Sequence, residues 1–221
     1  MTDTRVWDLP ARLVHWSLPV LIAASWWTAE NGDLQLHRYS GYAVLGLLLF
    51  RLYWAFAGSP TSRLFLYLRG ARAVGAYVRK LHVRGEGRRE IGHNPVGAWS
   101  AALLFTLLLT QVALGLFAVD VDGLESGPLS HLVSFEAGRT CAALHENVFD
   151  ALLALIALHV AAVLFYLVYR REDLITPMIT GLQAGAASGD SAAPIAGWRR
   201  AVVGALLAGL ATWAVSAGFW T

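Results

Sequence analysis

The chain has 221 residues, of which 57% are hydrophobic and 14% charged, with a formal net charge of +2. This balance is more apolar and less charged than that of ordinary soluble domains, so it indicates an integral membrane protein. The single cysteine excludes an internal disulfide, a four-cysteine zinc site and the covalent attachment of a c-type haem. We expect an all-α helical bundle surrounded by membrane lipid, without a nucleic-acid partner.

Long apolar runs predict the membrane-spanning helices, because a helix that crosses a bilayer needs about 20 mainly apolar residues. Five runs are candidates, at residues 13–27, 39–57, 96–119, 143–169 and 198–220, and most are close to this length, the first being the shortest. The first run lacks the small-residue cleavage site that follows the basic region of a signal peptide, so we interpret it as a retained helix.

Two of the segments between the apolar runs predict an amphipathic helix and a linker. Apolar residues recur at helical spacing in residues 71–83, which predicts an amphipathic helix on the inner leaflet. Residues 182–197 have few bulky side chains and predict a flexible linker. We therefore expect a four-helix core in residues 1–181 and an accessory fifth transmembrane helix in residues 198–221.

Basic and acidic residues alternate between successive connections. The connection between the second and third runs carries basic residues at Arg51, Arg63, Arg69, Arg72, Arg79, Lys80, Arg84, Arg88 and Arg89. The next connection has four acidic residues against Arg139 alone. By the positive-inside rule, the sequence predicts that the N-terminus is cytoplasmic and that the C-terminus lies on the outer side of the membrane.

Four of the seven histidines lie within the predicted spans or at their ends: His15, His37, His145 and His159. Ionisable side chains at such depths are costly and usually face the interior of the bundle or a functional site. Fourteen positions separate His145 from His159, which on a helix is about 40° short of four turns and rises about 21 Å. Both imidazoles therefore face the same way at two depths.

The predicted topology sorts these histidines into two pairs. His15 and His159 lie toward the inner side, whereas His37 and His145 open the second and fourth helices on the outer side. Two imidazoles leave most of the coordination sphere of a zinc or copper ion open, but haem brings four equatorial nitrogens and needs only two axial ligands. We therefore predict two haem sites, one above the other.

Small and basic residues near the histidines extend this prediction. Gly41 follows His37 on the same helical face and would leave space for the macrocycle, although close helix packing also selects small residues. Arginines near the span ends are candidates for binding the haem propionates; they are Arg12, Arg38, Arg51 and Arg63. The positive-inside bias explains Arg12 and Arg63 equally well, whereas Arg38 lies beside a predicted ligand on the acidic side and favours the propionate role. The histidines outside the spans, His82, His93 and His131, are expected to be solvated or to cap helices.

Several motifs resemble the bacterial cytochrome b561 family together with the cytochrome b subunits of nickel-iron hydrogenases. They are "RVWDLPARLVHW" at residues 5–16, "LHRYSGY" at 36–42, "RLYWAFAGSPTSRLF" at 51–65, "GHNPVGAWS" at 92–100, and the "HEN" and "LH" positions of the fourth helix. The resemblance implies a four-helix core with two b-type haems, whose axial ligands match His15, His37, His145 and His159. It also implies a protein of the bacterial inner membrane, with a cytoplasmic N-terminus and a periplasmic C-terminus. Such proteins transfer electrons between the quinone pool and a partner, usually on the periplasmic side.

The sequence leaves three functions open. The first is a di-haem respiratory-chain cytochrome that transfers electrons between quinone and a periplasmic partner, either a c-type cytochrome or a dehydrogenase. The second is a superoxide oxidase that reduces ubiquinone, and the third is a haem-bearing anchor of a hydrogenase-like complex. Because only some of these functions are enzymatic, whether the chain is itself an enzyme stays open. The acidic outer connections favour the first function with a basic partner, because they would attract a basic cytochrome and repel an anionic radical.

Overall fold

The computed structural model describes residues 4–81, 92–122, 125–183 and 196–218, and these residues are mostly helical. The helices are α1 (Leu9–Glu30), α2 (Leu34–Ala57), α3 (Ala71–Lys80), α4 (Pro95–Phe117), α5 (Phe135–Phe165), α6 (Ile175–Thr180) and α7 (Trp198–Ser216), and the strands are β1 (Thr4–Arg5) and β2 (Leu182–Gln183). A π-helical turn, Tyr166–Arg170, continues α5. The all-α class is confirmed.

Three of the described helices are long and apolar enough to cross a membrane: Leu34–Ala57, Pro95–Phe117 and Phe135–Arg170. They correspond to the second, third and fourth predicted spans. Helices α1 and α7 form at the places predicted for the first and fifth spans, and for these two a membrane crossing stays a prediction.

Helices α1, α2 and α5 begin several residues before the apolar runs that predicted them. Helix α5 begins at Phe135, where the Ser134 hydroxyl accepts a hydrogen bond from the Ala137 amide at 3.3 Å. His145 therefore lies well inside α5, which corrects the prediction that it opens this helix. The reason is that hydropathy detects only the apolar part of a helix, whereas the backbone hydrogen bonds continue into its polar end.

The structure divides into two compact units, of which the first contains Met1–Leu13, Tyr53–Leu104 and Leu155–Ala201. Its core includes the buried carboxylate of Asp8, which is 3% exposed. This carboxylate accepts hydrogen bonds from Trp54 Nε1 at 3.0 Å, Ser62 Oγ at 3.0 Å, and the amides of Ser59 at 3.3 Å and Ala11 at 2.9 Å. One carboxylate thus fastens the start of α1 to the chain that leaves α2.

The same unit also contains a short two-stranded sheet. Strands β1 and β2 pair antiparallel, with Thr4 opposite Gln183 and Arg5 opposite Leu182. Gly181 precedes β2 at a φ of +85°, and a Cβ atom there would lie 2.7 Å from the Trp7 carbonyl oxygen. The segment predicted as a linker from residue 182 therefore begins as a paired strand, while its residues 184–195 lie outside the described part of the chain.

A helix, α3, forms within residues 71–83, where the sequence predicts an amphipathic helix, and its place on the inner leaflet stays a prediction. Residues beyond 81 on that segment lie outside the described ranges. The C-terminal end of α3 is held by Arg170, whose Nη1 donates to the carbonyl oxygens of Lys80 at 3.3 Å and Leu81 at 3.5 Å. Arg170 is buried and also pairs with Glu172 at 2.8 Å. A side chain at the end of the long α5 segment therefore fixes the position of α3.

The second unit contains Val14–Leu52, Phe105–Ala154 and Val202–Thr221. In the connection after α4, the amide of Gly127 donates to the Ala118 carbonyl at 2.8 Å, and the amide of Leu129 donates to the Leu116 carbonyl at 2.9 Å. Within this unit α7 contacts α2, since a Cβ atom on Gly46 would lie 3.3 Å from Thr212 Oγ1.

Candidate functional site

The histidines predicted as the outer pair come together in the second unit. His37 lies in the first turn of α2, and His145 lies inside α5. Their ring centres are 6.0 Å apart and their planes are inclined at 83°. Both side chains are half-buried.

In each of the two imidazoles, the Nδ1 atom is hydrogen-bonded to a backbone carbonyl group. His37 Nδ1 lies 2.8 Å from the Ser25 carbonyl oxygen, and His145 Nδ1 lies 2.9 Å from the Gln111 carbonyl oxygen. Because a carbonyl oxygen only accepts hydrogen bonds, each Nδ1 carries the proton and donates it. Each Nε2 therefore keeps a lone pair that is available to a metal ion.

The spacing of the rings fits one metal ion bound between them. Metal–imidazole bonds are about 2 Å long, so two imidazoles that bind the same ion have ring centres within about 6–7 Å of one another. Among the described residues, no group of three or more histidine, cysteine, aspartate or glutamate side chains is placed to bind a metal ion. The pair therefore suits an ion that brings its other ligands with it, as haem iron does.

Gly115 on α4 lies directly against His145, a role that the sequence analysis missed. A Cβ atom on Gly115 would lie 3.0 Å from Cε1 of His145. A glycine within an apolar helix was the available signal, but composition alone could not distinguish it from other packing glycines. At Gly41 a Cβ atom would meet nothing within 4 Å, so open space adjoins this glycine on the helix that carries His37.

A match to one family model covers most of the chain. Residues 6–181 match the family model of the prokaryotic cytochrome b561. The chain belongs to the prokaryotic cytochrome b561 family. Comparison with curated proteins gives no match, and neither does comparison with solved structures.

Membership of the cytochrome b561 family makes this protein a bacterial membrane cytochrome that binds haem b and transfers electrons. The matched residues include His15, His37, His145 and His159, whereas α7 lies beyond the match. The resemblance noted in the sequence is therefore confirmed, and the His37–His145 geometry fits the cofactor of this cytochrome b561 family member.

The histidines predicted as the inner pair are both half-buried. His15 belongs to the second unit, where its ring lies edge-on to Trp16 with centres 5.2 Å apart. His159 belongs to the first unit. The pairing of these two histidines in the cytochrome stays a prediction.

The four candidate arginines have different surroundings. Arg38 pairs with Glu125 at 3.0 Å. Arg12 donates from Nη1 to the Ile179 carbonyl oxygen, and Arg63 donates from Nε to the Gly58 carbonyl oxygen at 3.2 Å. Arg51 is half-buried on α2. The propionate roles of these arginines stay predictions.

The histidines outside the predicted spans do not share one environment. His93 is half-buried, with its ring centre 4.8 Å from that of Trp7 and 5.7 Å from that of Tyr67. This aromatic surrounding corrects the solvated alternative of the prediction, and the helix-capping alternative stays a prediction. Burial also raises the pKa of Tyr67. His131 is exposed, as predicted, whereas His82 lies outside the described residues.

Proposed function

We propose that this protein is a di-haem cytochrome that transfers electrons between the quinone pool and a basic periplasmic redox protein, such as a c-type cytochrome. The observation that carries the proposal is the His37–His145 pair, with ring centres 6.0 Å apart and both Nδ1 atoms hydrogen-bonded to carbonyl oxygens. His37 and His145 would together hold the iron of one b-type haem, the outer haem of the proposal.

The second haem of the proposal uses His15 and His159. His159 lies on α5 as His145 does, and the helical spacing places both on about the same face with a rise of about 21 Å. Helix α5 would then supply one axial ligand to each haem, and the two sites would lie at different depths of the membrane. A quinone would exchange electrons with one end of this route and the periplasmic protein with the other.

Haem b supplies one-electron oxidation and reduction at its iron. The protein holds the ligands in place: the carbonyl groups of Ser25 and Gln111 fix the tautomer and orientation of His37 and His145. A donated Nδ1 proton also makes Nε2 more basic. A more basic ligand stabilises the oxidised iron, so these carbonyl groups would lower the reduction potential of the outer site.

The charges of the second unit support a basic partner. Exposed carboxylates there include Glu30, Asp33, Asp122 and Glu136. Arg38 is paired with Glu125, and Arg139 donates to the Val119 carbonyl oxygen. With the predicted topology, these carboxylates lie on the periplasmic side, where they would steer a basic protein and disfavour the approach of superoxide.

The test is the haem content per chain, measured as the pyridine haemochrome. We expect two b-type haems in the wild type and about one in each of the variants His37→Ala, His145→Ala and His159→Ala. His131→Ala is the matched control, because His131 is exposed and lies outside the predicted spans. A single haem in the wild type, or two haems in His145→Ala, would contradict the proposal.

Two further measurements separate the competing functions. The rate of electron exchange with a basic cytochrome should fall as salt is added, whereas a superoxide oxidase would turn over with superoxide instead. Stable co-purification with a hydrogenase or dehydrogenase under mild detergent would favour the anchor function.

A further inference from the structure

The first unit contains a cleft that is separate from the histidines. Its volume is about 520 Å³, and it is lined by Gly58, Pro60 and Arg63 after α2 and by residues 196–200 at the start of α7. This volume lies within the range of small-molecule sites, about 300–1,000 Å³. The α7 wall lies beyond the residues that match the cytochrome b561 family.

Hydrogen bonds join the two walls of the cleft. The amide of Ala196 donates to Ser59 Oγ at 3.0 Å, and Arg200 Nη1 donates to the Ala57 carbonyl oxygen at 3.4 Å. Ser59 is 3% exposed, and its own amide donates to the buried carboxylate of Asp8 at 3.3 Å. The cleft is therefore supported by the core of the first unit.

The charged side chains among the described lining residues of the cleft are all basic. The cleft is lined by Arg63, Arg199 and Arg200, and none of the described residues that line it is acidic. The ion pairs in the described part of the chain join Arg38 to Glu125 and Arg170 to Glu172, so none of the three cleft arginines is paired there. Arg199 and Arg200 also lie in the first turn of α7, where the helix dipole disfavours cations and favours an anion.

We infer that this cleft binds the phosphate group of an anionic phospholipid. Guanidinium groups match the oxygens of a phosphate in charge and geometry, and basic pockets beside membrane helices are known to bind lipid headgroups. Trp198 at the cleft is 72% exposed, and the Arg199 guanidinium lies 5.9 Å from the centre of its ring. Exposed tryptophan is typical of the membrane interface.

Helix α7 favours a lipid over a soluble phosphate. After its first turn it exposes large apolar side chains, with Leu206 68% exposed and Leu210 63% exposed. Such side chains suit a hydrocarbon environment and not water. Helix α7 thus combines a basic first turn with exposed apolar residues along the rest of its length. This combination is expected where the headgroups of lipids meet their acyl chains.

The test is native mass spectrometry of the haem-loaded, delipidated protein with three probes: phosphatidylglycerol, phosphatidylcholine and inorganic phosphate. The wild type should bind phosphatidylglycerol most tightly. The double variant Arg199→Gln/Arg200→Gln should lose about tenfold in affinity for it, whereas Arg199→Lys/Arg200→Lys should retain most of the binding.

The matched control is Arg72→Gln/Arg79→Gln, which removes two exposed basic residues from α3 and leaves the cleft intact. An equal loss of affinity in this control would overturn the inference, because binding would then reflect diffuse surface charge. Wild-type binding of phosphatidylcholine or inorganic phosphate as tight as that of phosphatidylglycerol would also overturn it. The haem absorbance spectrum verifies folding, and Arg63→Gln tests the opposite wall if the α7 variant does not fold.

Discussion

A Cβ atom on Gly115 of α4 would lie 3.0 Å from Cε1 and 3.3 Å from Nδ1 of His145 on α5. The ring of His145 thus occupies space that glycine leaves open, while its Nδ1 is held at 2.9 Å by the Gln111 carbonyl oxygen on the same α4 helix. Helix α4 provides no predicted axial ligand, yet it determines where one ligand ring lies.

The variant Gly115→Ala should therefore displace the His145 ring by a few tenths of an ångström, because contacts this short lie well inside ordinary carbon–carbon separations of about 3.5–4.0 Å. We expect a weakened or missing outer haem, detected as a lower haem content per chain or a shifted low-spin electron paramagnetic resonance signal. Gly209→Ala on α7 is the control, since a Cβ atom there meets nothing within 4 Å. An unchanged haem signal in Gly115→Ala would show that the ring adjusts without cost.

The buried carboxylate of Asp8 should be required for stability. The variant Asp8→Ala would leave Trp54 Nε1, Ser62 Oγ and two backbone amides without their shared acceptor. Each buried donor that loses its partner costs about 1–3 kcal/mol, so we expect the free energy of unfolding to fall by about 3 kcal/mol or more. The measurement is thermal unfolding in detergent, followed by haem absorbance.

The control for Asp8 is Asp122→Ala, because Asp122 is exposed. Its melting temperature should change little, since exposed substitutions usually stay within about 0.5 kcal/mol. A melting temperature for Asp8→Ala equal to that of this control would mean that water replaces the carboxylate without loss.

The exposed carboxylates of the second unit should govern the encounter with a basic redox partner. The double variant Asp122→Asn/Glu136→Gln should slow bimolecular electron transfer with a basic c-type cytochrome by a few-fold at low salt, because steering charges act mainly on the association rate. The measurement is stopped-flow kinetics at several ionic strengths. The charge-preserving variant Asp122→Glu/Glu136→Asp should keep the wild-type rate, and equal rates in both variants would refute the steering argument.

Arg170 should hold the amphipathic helix α3 in place. Replacement by alanine removes the donors to the Lys80 and Leu81 carbonyl oxygens and leaves Glu172 without its partner. Hydrogen exchange at the C-terminal amides of α3 should become about tenfold faster, because local opening sets the exchange rate. Arg79→Ala is the control, since Arg79 is exposed on α3 itself; similar exchange in both variants would show that Arg170 does not fix this helix.

The His37–His145 pair and helix α3 were predicted from the sequence, whereas the environment of His93 was not. The sequence predicted that His37 and His145 form a pair, and their ring centres are 6.0 Å apart. The side of the membrane on which this pair lies stays a prediction. The sequence also predicted α3, because an amphipathic repeat depends only on local spacing. It did not predict the environment of His93 between Trp7 and Tyr67, since those rings come from distant parts of the chain.

The sequence by itself determined the properties that depend on composition and local periodicity. These are the membrane class, the approximate places of the helices, and the histidines suited to haem. Tertiary structure alone decided which atoms surround His37 and His145, namely the Ser25 and Gln111 carbonyl groups that accept hydrogen bonds from their Nδ1 atoms and the Gly115 backbone beside His145. It also decided that an arginine cleft forms at α7, apart from these histidines. Such contacts join residues far apart along the chain, and their geometry follows only from the packing of complete helices.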